Sequence, residues 1–214
     1  MICSYLYGNE PTSWNIDMQH CAILLLAAGA SSRMRGRDKL LEPVNGVPLL
    51  QVMVRRSAET GMPVFVTQPD PKHPRCPYTV PATPVYVPGW QEGMAASIRA
   101  GVKALPPDVE AVMILPADMP DITEQDLLKV AGSLHGHDPA IVRACTETGK
   151  PGHPVLFPRR YFSELMQVKG HSGGREILRH RPVRKVLLPG EHAAADLDTP
   201  EDWQNWRART GTVR

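Results

Sequence analysis

At 214 residues and 42% hydrophobic content, the chain is long enough to bury one substantial core, with the make-up of an ordinary globular protein. Its 24 Lys plus Arg against 22 Asp plus Glu leave a formal charge of only +2, so no overall basic field points to a nucleic-acid partner. Four cysteines, Cys3, Cys21, Cys76 and Cys145, make no CxxC pair and no short framework, which argues against a zinc ribbon or disulfide scaffold and for cytosolic thiols.

Residues 1–20 lack periodicity and are expected to be a flexible extension, with Met18 as a candidate natural start and 21–214 as a single domain. The apolar run 22–28 is too short to span a bilayer, and Asn9, Glu10, Asp17 and His20 precede it with no basic region. No membrane segment or signal peptide is therefore expected, and the location expected is cytoplasmic.

Short apolar runs then alternate with amphipathic stretches. Strands are predicted at 22–27, 63–67, 84–87, 111–115, 140–144, 154–157 and 183–188. Pro48 opens a helix reaching about Thr60, with Gly61 as its stop; further helices are expected at 94–104, after Thr123 as N-cap, at 158–168, at 173–180, and from Thr199-Pro200 onward. Residues 69–88 are Pro-dense and irregular. This alternation predicts an α/β fold: a Rossmann-like, doubly wound, mostly parallel sheet whose ligand sits beyond the carboxyl ends of the strands.

Four segments fall at such ends. After the first strand, Leu26-Ala27-Ala28-Gly29 runs into Arg33, Arg35, Arg37 and Lys39. Small residues let backbone amides approach phosphate oxygens, and Arg33 and Lys39 can neutralise a triphosphate. No GxGxxG follows the strand and Leu40 follows Lys39, so neither the dinucleotide fingerprint nor the Walker A pattern fits. A turn glycine beside a solvated cationic face is the other reading. Gly93 to Ser97, after the third strand, reads either as a helix N-terminus approaching a ligand or as a plain capped helix; Gln68 and Trp90 are weaker candidates for base or ribose contacts. After the fourth strand, Asp118 stands where a magnesium ligand would be, and Asp198 near the last helix offers the second carboxylate that Mg²⁺ often uses. A turn role for Asp118 and a capping role for Asp198 stand beside these.

Five segments together carry a family resemblance. LAAG-x-S-x-R-M with K-L-L at 26–41, E-G-M-x-x-S-I-R at 92–99, L-x-A-D-M-P at 115–120, G-H-P-V-L-F at 152–157 and D-L-D-T-P-E-D at 196–202 resemble the MobA-like nucleotidyltransferases, and within them the MocA-type molybdenum cofactor cytidylyltransferases. The resemblance implies a nucleotide-diphospho-sugar transferase fold and Mg²⁺-dependent transfer of CMP from CTP, or a nucleotidyl group from another NTP, to the phosphate of molybdenum cofactor. It implies Leu26, Ala27, Ala28 and Gly29 along the nucleotide, the segment Gly93 to Ser97 near its base and ribose, Arg33 and Lys39 at its phosphates, and Asp118 and Asp198 on the metal. Ala28, where guanylyl-transferring relatives tend to carry Gly, favours CTP. His153, His171 and Arg175 are the expected acceptor contacts, and a transient contact with a molybdenum hydroxylase is the implied protein partner.

Two departures from the family pattern stand out. The loop from Arg33 to Lys39 is one residue longer and more basic, and His171 replaces a carboxylate. A related transferase with a sugar-phosphate acceptor, and a non-catalytic chaperone for the cofactor, are the rival expectations.

Overall fold

The computed structural model describes residues 18–135, 140–170 and 173–213. Residues 1–17 of the expected extension and His171 lie outside them. Residues 18–20 form a 3-10 turn that is tied down: the Glu110 N–H donates to the His20 carbonyl at 2.7 Å, and His20 Nδ1 sits 2.9 Å from the Asp108 carbonyl.

The strands are β1 (Cys21–Leu26), β2 (Pro43–Val44), β3 (Val47–Pro48), β4 (Val64–Gln68), β5 (Thr83–Tyr86), β6 (Ala111–Pro116), β7 (Ile141–Cys145), β8 (Pro151–Pro158) and β9 (Val183–Leu187). The helices are α1 (Leu49–Glu59), α2 (Met94–Ala104), α3 (Glu124–Ala131), α4 (Phe162–Leu165), α5 (Arg175–His180) and α6 (Pro200–Thr210). Seven strands make one sheet in the order β5-β4-β1-β6-β8-β7-β9, all parallel except β8.

β1 is apolar along its whole length because both its faces are covered. Cys21, Ile23 and Leu25 pack in one layer with Leu50, Leu127 and Trp203 from α1, α3 and α6. Ala22 and Leu24 pack in the other with Ile98, Leu165 and Ile177 from α2, α4 and α5. Capping boxes at Thr123/Asp126 and Thr199/Asp202 start α3 and α6 at the residues expected from sequence.

Three elements differ from the sequence expectation. A β2–β3 hairpin turns on Asn45-Gly46, both at positive φ, and ends at Pro48, so α1 begins one residue later. β8 is twice the expected length, because Pro151 pairs with Cys145 of β7 at one end and Pro158 with Ala111 of β6 at the other. The helix expected at 158–168 shrinks to a 3-10 turn and α4. Its last residues instead brace α2: the Val168 carbonyl accepts from Arg99 at 2.6 Å, and the Gly170 carbonyl from the Ala95 N–H at 3.1 Å.

Candidate active site

Connections from β1 run to β4 and β5 on one side of the sheet while β6 lies on the other, so the strand order reverses between β1 and β6. There Leu26 lies opposite Pro116, and the Ala117 N–H donates to the Leu26 carbonyl at 3.2 Å. The loops that follow these two strands therefore leave the sheet side by side.

Side chains from elsewhere hold the first loop. Arg75 is 1% exposed and uses its whole guanidinium on the loop: Nε and Nη2 bond Asp38 at 2.7 Å each, Nη1 bonds the Ala27 and Gly29 carbonyls at 2.6 and 2.8 Å, and Nη2 reaches Ser31 Oγ at 3.1 Å. Ser31 Oγ in turn accepts from the Lys39 N–H at 3.2 Å. Ser31 and Arg35 both stand at φ +52°, a conformation that costs energy without glycine and persists because the neighbours enforce it. Carbonyls that would repel a phosphate are thus already bound to a cation. Beside Gly29 nothing lies within 4 Å of where a Cβ would be, so the loop opens there onto empty space.

Lys39 ends the loop between two carboxylates. Its Nζ donates to Asp118 Oδ2 and, at 2.6 Å, to Asp198 Oδ1. The Leu197 N–H bonds the Asp118 carbonyl at 3.1 Å, which holds the two acidic segments together. Burial works against the Lys39 ammonium, yet the Asp118 and Asp198 charges outweigh it and hold its pKa above the ordinary lysine value. The other oxygen of Asp118, Oδ1, is buried with no hydrogen-bond partner. Asp196 stands nearby; burial, then the Asp118 and Asp198 charges, push its carboxyl above the usual range.

Two cavities meet over this cluster. The smaller, about 350 Å³, is lined by Leu26, Ala28, Gly29, Trp90, Gly93 and Ser97 among others; the larger, about 460 Å³, by Arg143, Gly152, His153, Phe157, Arg175, Asp196 and Asp198 among others. Lys39, Met94, Pro116 and Asp118 line both. Behind the smaller one, α2 starts at Met94 after an N-cap at Gly93, whose φ of 107° suits glycine.

The expected residues sort accordingly. Leu26, Ala28, Gly29, Lys39, Gly93, Ser97 and Asp118 wall the smaller cavity, and His153, Arg175 and Asp198 the larger. Ala27 and Gln68 line neither: both are fully buried, the Ala27 N–H bonds Thr67 Oγ1 at 2.9 Å, and the Gln68 amide has no partner at either atom. Arg33 also lines neither, and sits on the outer side bound to Asp198 Oδ2. Arg35 and Arg37 are fastened to Glu201 and Glu42 at 2.6 and 3.0 Å, so of the loop's cations Lys39 alone reaches the cavities. His153 is expected to meet the acceptor either as a protonated or as a hydrogen-bonding imidazole, and its surroundings favour the second. Burial, with the Arg143 charge next, pulls its pKa down to about 4, so it is a neutral hydrogen-bonding group at neutral pH and not a cation.

Sequence reasoning passed over Arg75, Arg143 and Lys150, and gave Asp196 no role of its own. Arg75 lies in the Pro-dense stretch with no periodicity to mark it, whereas Asp196 was visible two residues before Asp198.

A phosphate-suited loop and paired carboxylates at the switch point of a doubly wound sheet are the arrangement expected of a nucleotide-dependent transferase. The MobA-like NTP transferase domain matches residues 23–186, and the chain belongs to that family of nucleotidyltransferases. It is 30% identical over 197 residues to a "Probable molybdenum cofactor guanylyltransferase" of Trichormus variabilis, covering 86% of this chain and 89% of that one. To the "Molybdenum cofactor cytidylyltransferase" of Escherichia coli it is 26% identical over 183 residues, covering 84% and 92%. The fold matches that of Rv0371c from Mycobacterium tuberculosis with a TM-score of 0.75 at 23% identity, over 89% of this chain and 98% of that one. A manganese complex of Rv0371C matches with a TM-score of 0.68 at 21% identity, over 86% and 96%. Among the described residues no helix is long and apolar enough to cross a membrane.

Proposed function

We propose that the protein transfers CMP from CTP to the phosphate of molybdenum cofactor with release of pyrophosphate. The observation that carries this reading is the meeting of two cavities over Lys39 and Asp118, one walled by the phosphate-suited loop and the other by cations and an imidazole. In this reading the nucleoside triphosphate takes the smaller cavity, with its phosphates toward Gly29 and Lys39 and its base and ribose toward Ala28, Gly93 and Ser97, and Arg33 reaches the phosphates from outside the cavity on leaving Asp198. Neither Ala27 nor Gln68 walls a cavity, so neither touches the nucleotide in this reading.

A divalent ion fits the acidic cluster. Asp118 keeps one buried oxygen without a partner, and Asp198 shares a lysine with it. A pair of carboxylates suits Mg²⁺, which commonly takes one or two protein carboxylates and completes its shell with phosphate and water. The manganese complex of the structural relative supports the same reading. Bound there, the ion would neutralise charge on the triphosphate. Lys39, released from the carboxylates, is positioned to stabilise the departing pyrophosphate, with Arg33 beside it. The acceptor phosphate is already an anion, so in-line attack on the α-phosphorus needs no general base, and the chain's contribution is alignment and charge stabilisation.

The names of the relatives support molybdenum cofactor as the acceptor. Base choice rests on Ala28, which lines the smaller cavity at the position where guanylyl-transferring relatives tend to carry Gly. GTP is the second reading, favoured by the higher identity to guanylyltransferase relatives. Incubation with each of the four nucleoside triphosphates, Mg²⁺ and purified molybdopterin cofactor tests both, reading out pyrophosphate and the dinucleotide product. Efficient turnover with CTP alone is expected; efficient GTP turnover would move the assignment to the guanylyl branch, and no pyrophosphate from any triphosphate would end the catalytic reading.

A further inference from the structure

The larger cavity has two electrostatic ends. At one, beyond β6, stand Asp118, Asp196 and Asp198 around Lys39. The other is built by β7 and the chain around it. Val155 of β8 lies opposite Ile114 on one side and Arg143 on the other, so Arg143 belongs to the same cross-strand row two strands away, about 10 Å across the sheet. Its Nε donates to the Gly152 carbonyl at 3.1 Å, which carries the guanidinium toward the ligand edge. Lys150, from the β7–β8 turn, and Arg175, at the start of α5, line the same cavity.

Among the described residues, none of these three cations has a carboxylate partner, in contrast to Arg33, Arg35, Arg37, Lys39 and Arg75. Burial holds the Arg143 guanidinium below its usual pKa; the Cys145 thiol opposes this and the Arg175 charge adds to it. Like charges gathered in a half-buried place without a counter-ion are costly unless a ligand supplies one. Between the two ends lies His153, its Nδ1 buried and without a hydrogen-bond partner, together with Phe157 and Met94 on the wall. That middle suits a flat, uncharged heterocycle.

We infer that Arg143, with Lys150 and Arg175 beside it, forms an anion site at the β7 end of the larger cavity that holds a second negatively charged group of the acceptor. The inference rests on the reading of that cavity as the acceptor's. The acceptor it describes is anionic at both ends: one phosphate meets the nucleotide at Asp118, a neutral ring lies against His153 and Phe157, and a further anion sits on Arg143. Specificity would then come from length, since a ligand too short to reach both ends loses the distal contact.

The test uses the full chain with the nucleotide site filled by an α,β-methylene triphosphate, so that the loop cannot bind the probe. Inorganic phosphate is titrated calorimetrically into wild type, Arg143→Gln, Arg143→Lys and Lys150→Gln. Loss of a charged hydrogen-bonding partner should weaken phosphate binding about tenfold or more in Arg143→Gln, with a smaller loss in Lys150→Gln and partial rescue by lysine at 143. Triphosphate affinity should stay unchanged, and the melting temperature should hold or rise, since the substitution relieves repulsion among the three cations. Equal phosphate affinity in wild type and Arg143→Gln, or no phosphate binding by wild type, overturns the site. A second arm compares molybdopterin cofactor with a pterin carrying one phosphate and no other anion. Arg143→Gln should raise KM for the first at least tenfold and leave KM for the second unaltered, while equal losses on both count against a distal anion contact. If molybdopterin is not turned over at all, the proposed acceptor fails while the phosphate titration still decides the anion site.

Discussion

The two cavities share a wall but are built on opposite plans. On the loop side charges are paired before any ligand arrives: Arg75 grips Asp38 and two carbonyls, and Lys39 is held between Asp118 and Asp198. On the β7 side Arg143, Lys150 and Arg175 lack carboxylate partners among the described residues, and the imidazole between the ends has a free nitrogen. A loop can attract phosphate through fixed amide dipoles while its side chains stay satisfied. A site that recognises its ligand through formal charge has to leave those charges uncompensated, which costs stability in the free protein.

Several substitutions can break or sharpen that contrast. Asp118 belongs to both cavities, so Asp118→Ala should lower the rate of pyrophosphate release on the order of a hundredfold to a thousandfold while the protein melts normally. Near-normal release would mean the shared wall is not the reaction centre. The β7 side should show its strain in acid. Folded His153 stays neutral down to about pH 4, against an ordinary 6.5 for the unfolded chain, so the unfolded state binds the additional proton between those values. Stability should therefore fall as pH drops from about 6.5 to about 4, by on the order of 3 kcal/mol. Denaturant unfolding of His153→Gln across that window should give a flatter curve than wild type; parallel curves would mean that the imidazole titrates normally.

Smaller effects come from the scaffolding of each side. A Cβ on Gly152 would lie 1.7 Å from the Ala193 carbonyl oxygen, so Gly152→Ala must push back the segment that carries Asp196 and Asp198. The expected loss is about 2 kcal/mol in denaturant unfolding. On the loop side, Arg75→Lys keeps the charge and loses the planar fork, and should raise KM for the triphosphate about tenfold with little change in kcat. An unchanged KM would show that the loop holds its shape without the clamp.

The fold class and the switch point were readable because β1 and β6 are continuous apolar runs that end in loops of small or acidic residues. Asp118 and Asp198 were readable for the same reason, each standing just past a strand or just before a capped helix. The partnership of Lys39 with both was not, since it joins residues 79 and 159 positions apart. Arg75 is a similar case: it reaches Asp38 across 37 positions from a segment whose prolines obscure any period. The Asn45-Gly46 turn carried a legible hairpin signal, which the helix start at Pro48 masked. Arg143 sits inside a strand, where alternation marks a side chain's face but says nothing about which cavity that face borders.

Asp198 has each oxygen engaged by a different cation, Oδ1 by Lys39 and Oδ2 by Arg33. Any ion seeking that carboxylate has to compete with an ammonium and a guanidinium, so the ligand-free protein should be a weak chelator. Affinity for Mg²⁺ would then emerge only once a triphosphate draws the two basic side chains aside, giving an obligatory order of addition. Equilibrium dialysis with Mn²⁺ as a probe, with and without nucleotide, would reveal that order; tight uptake by the protein alone would contradict it.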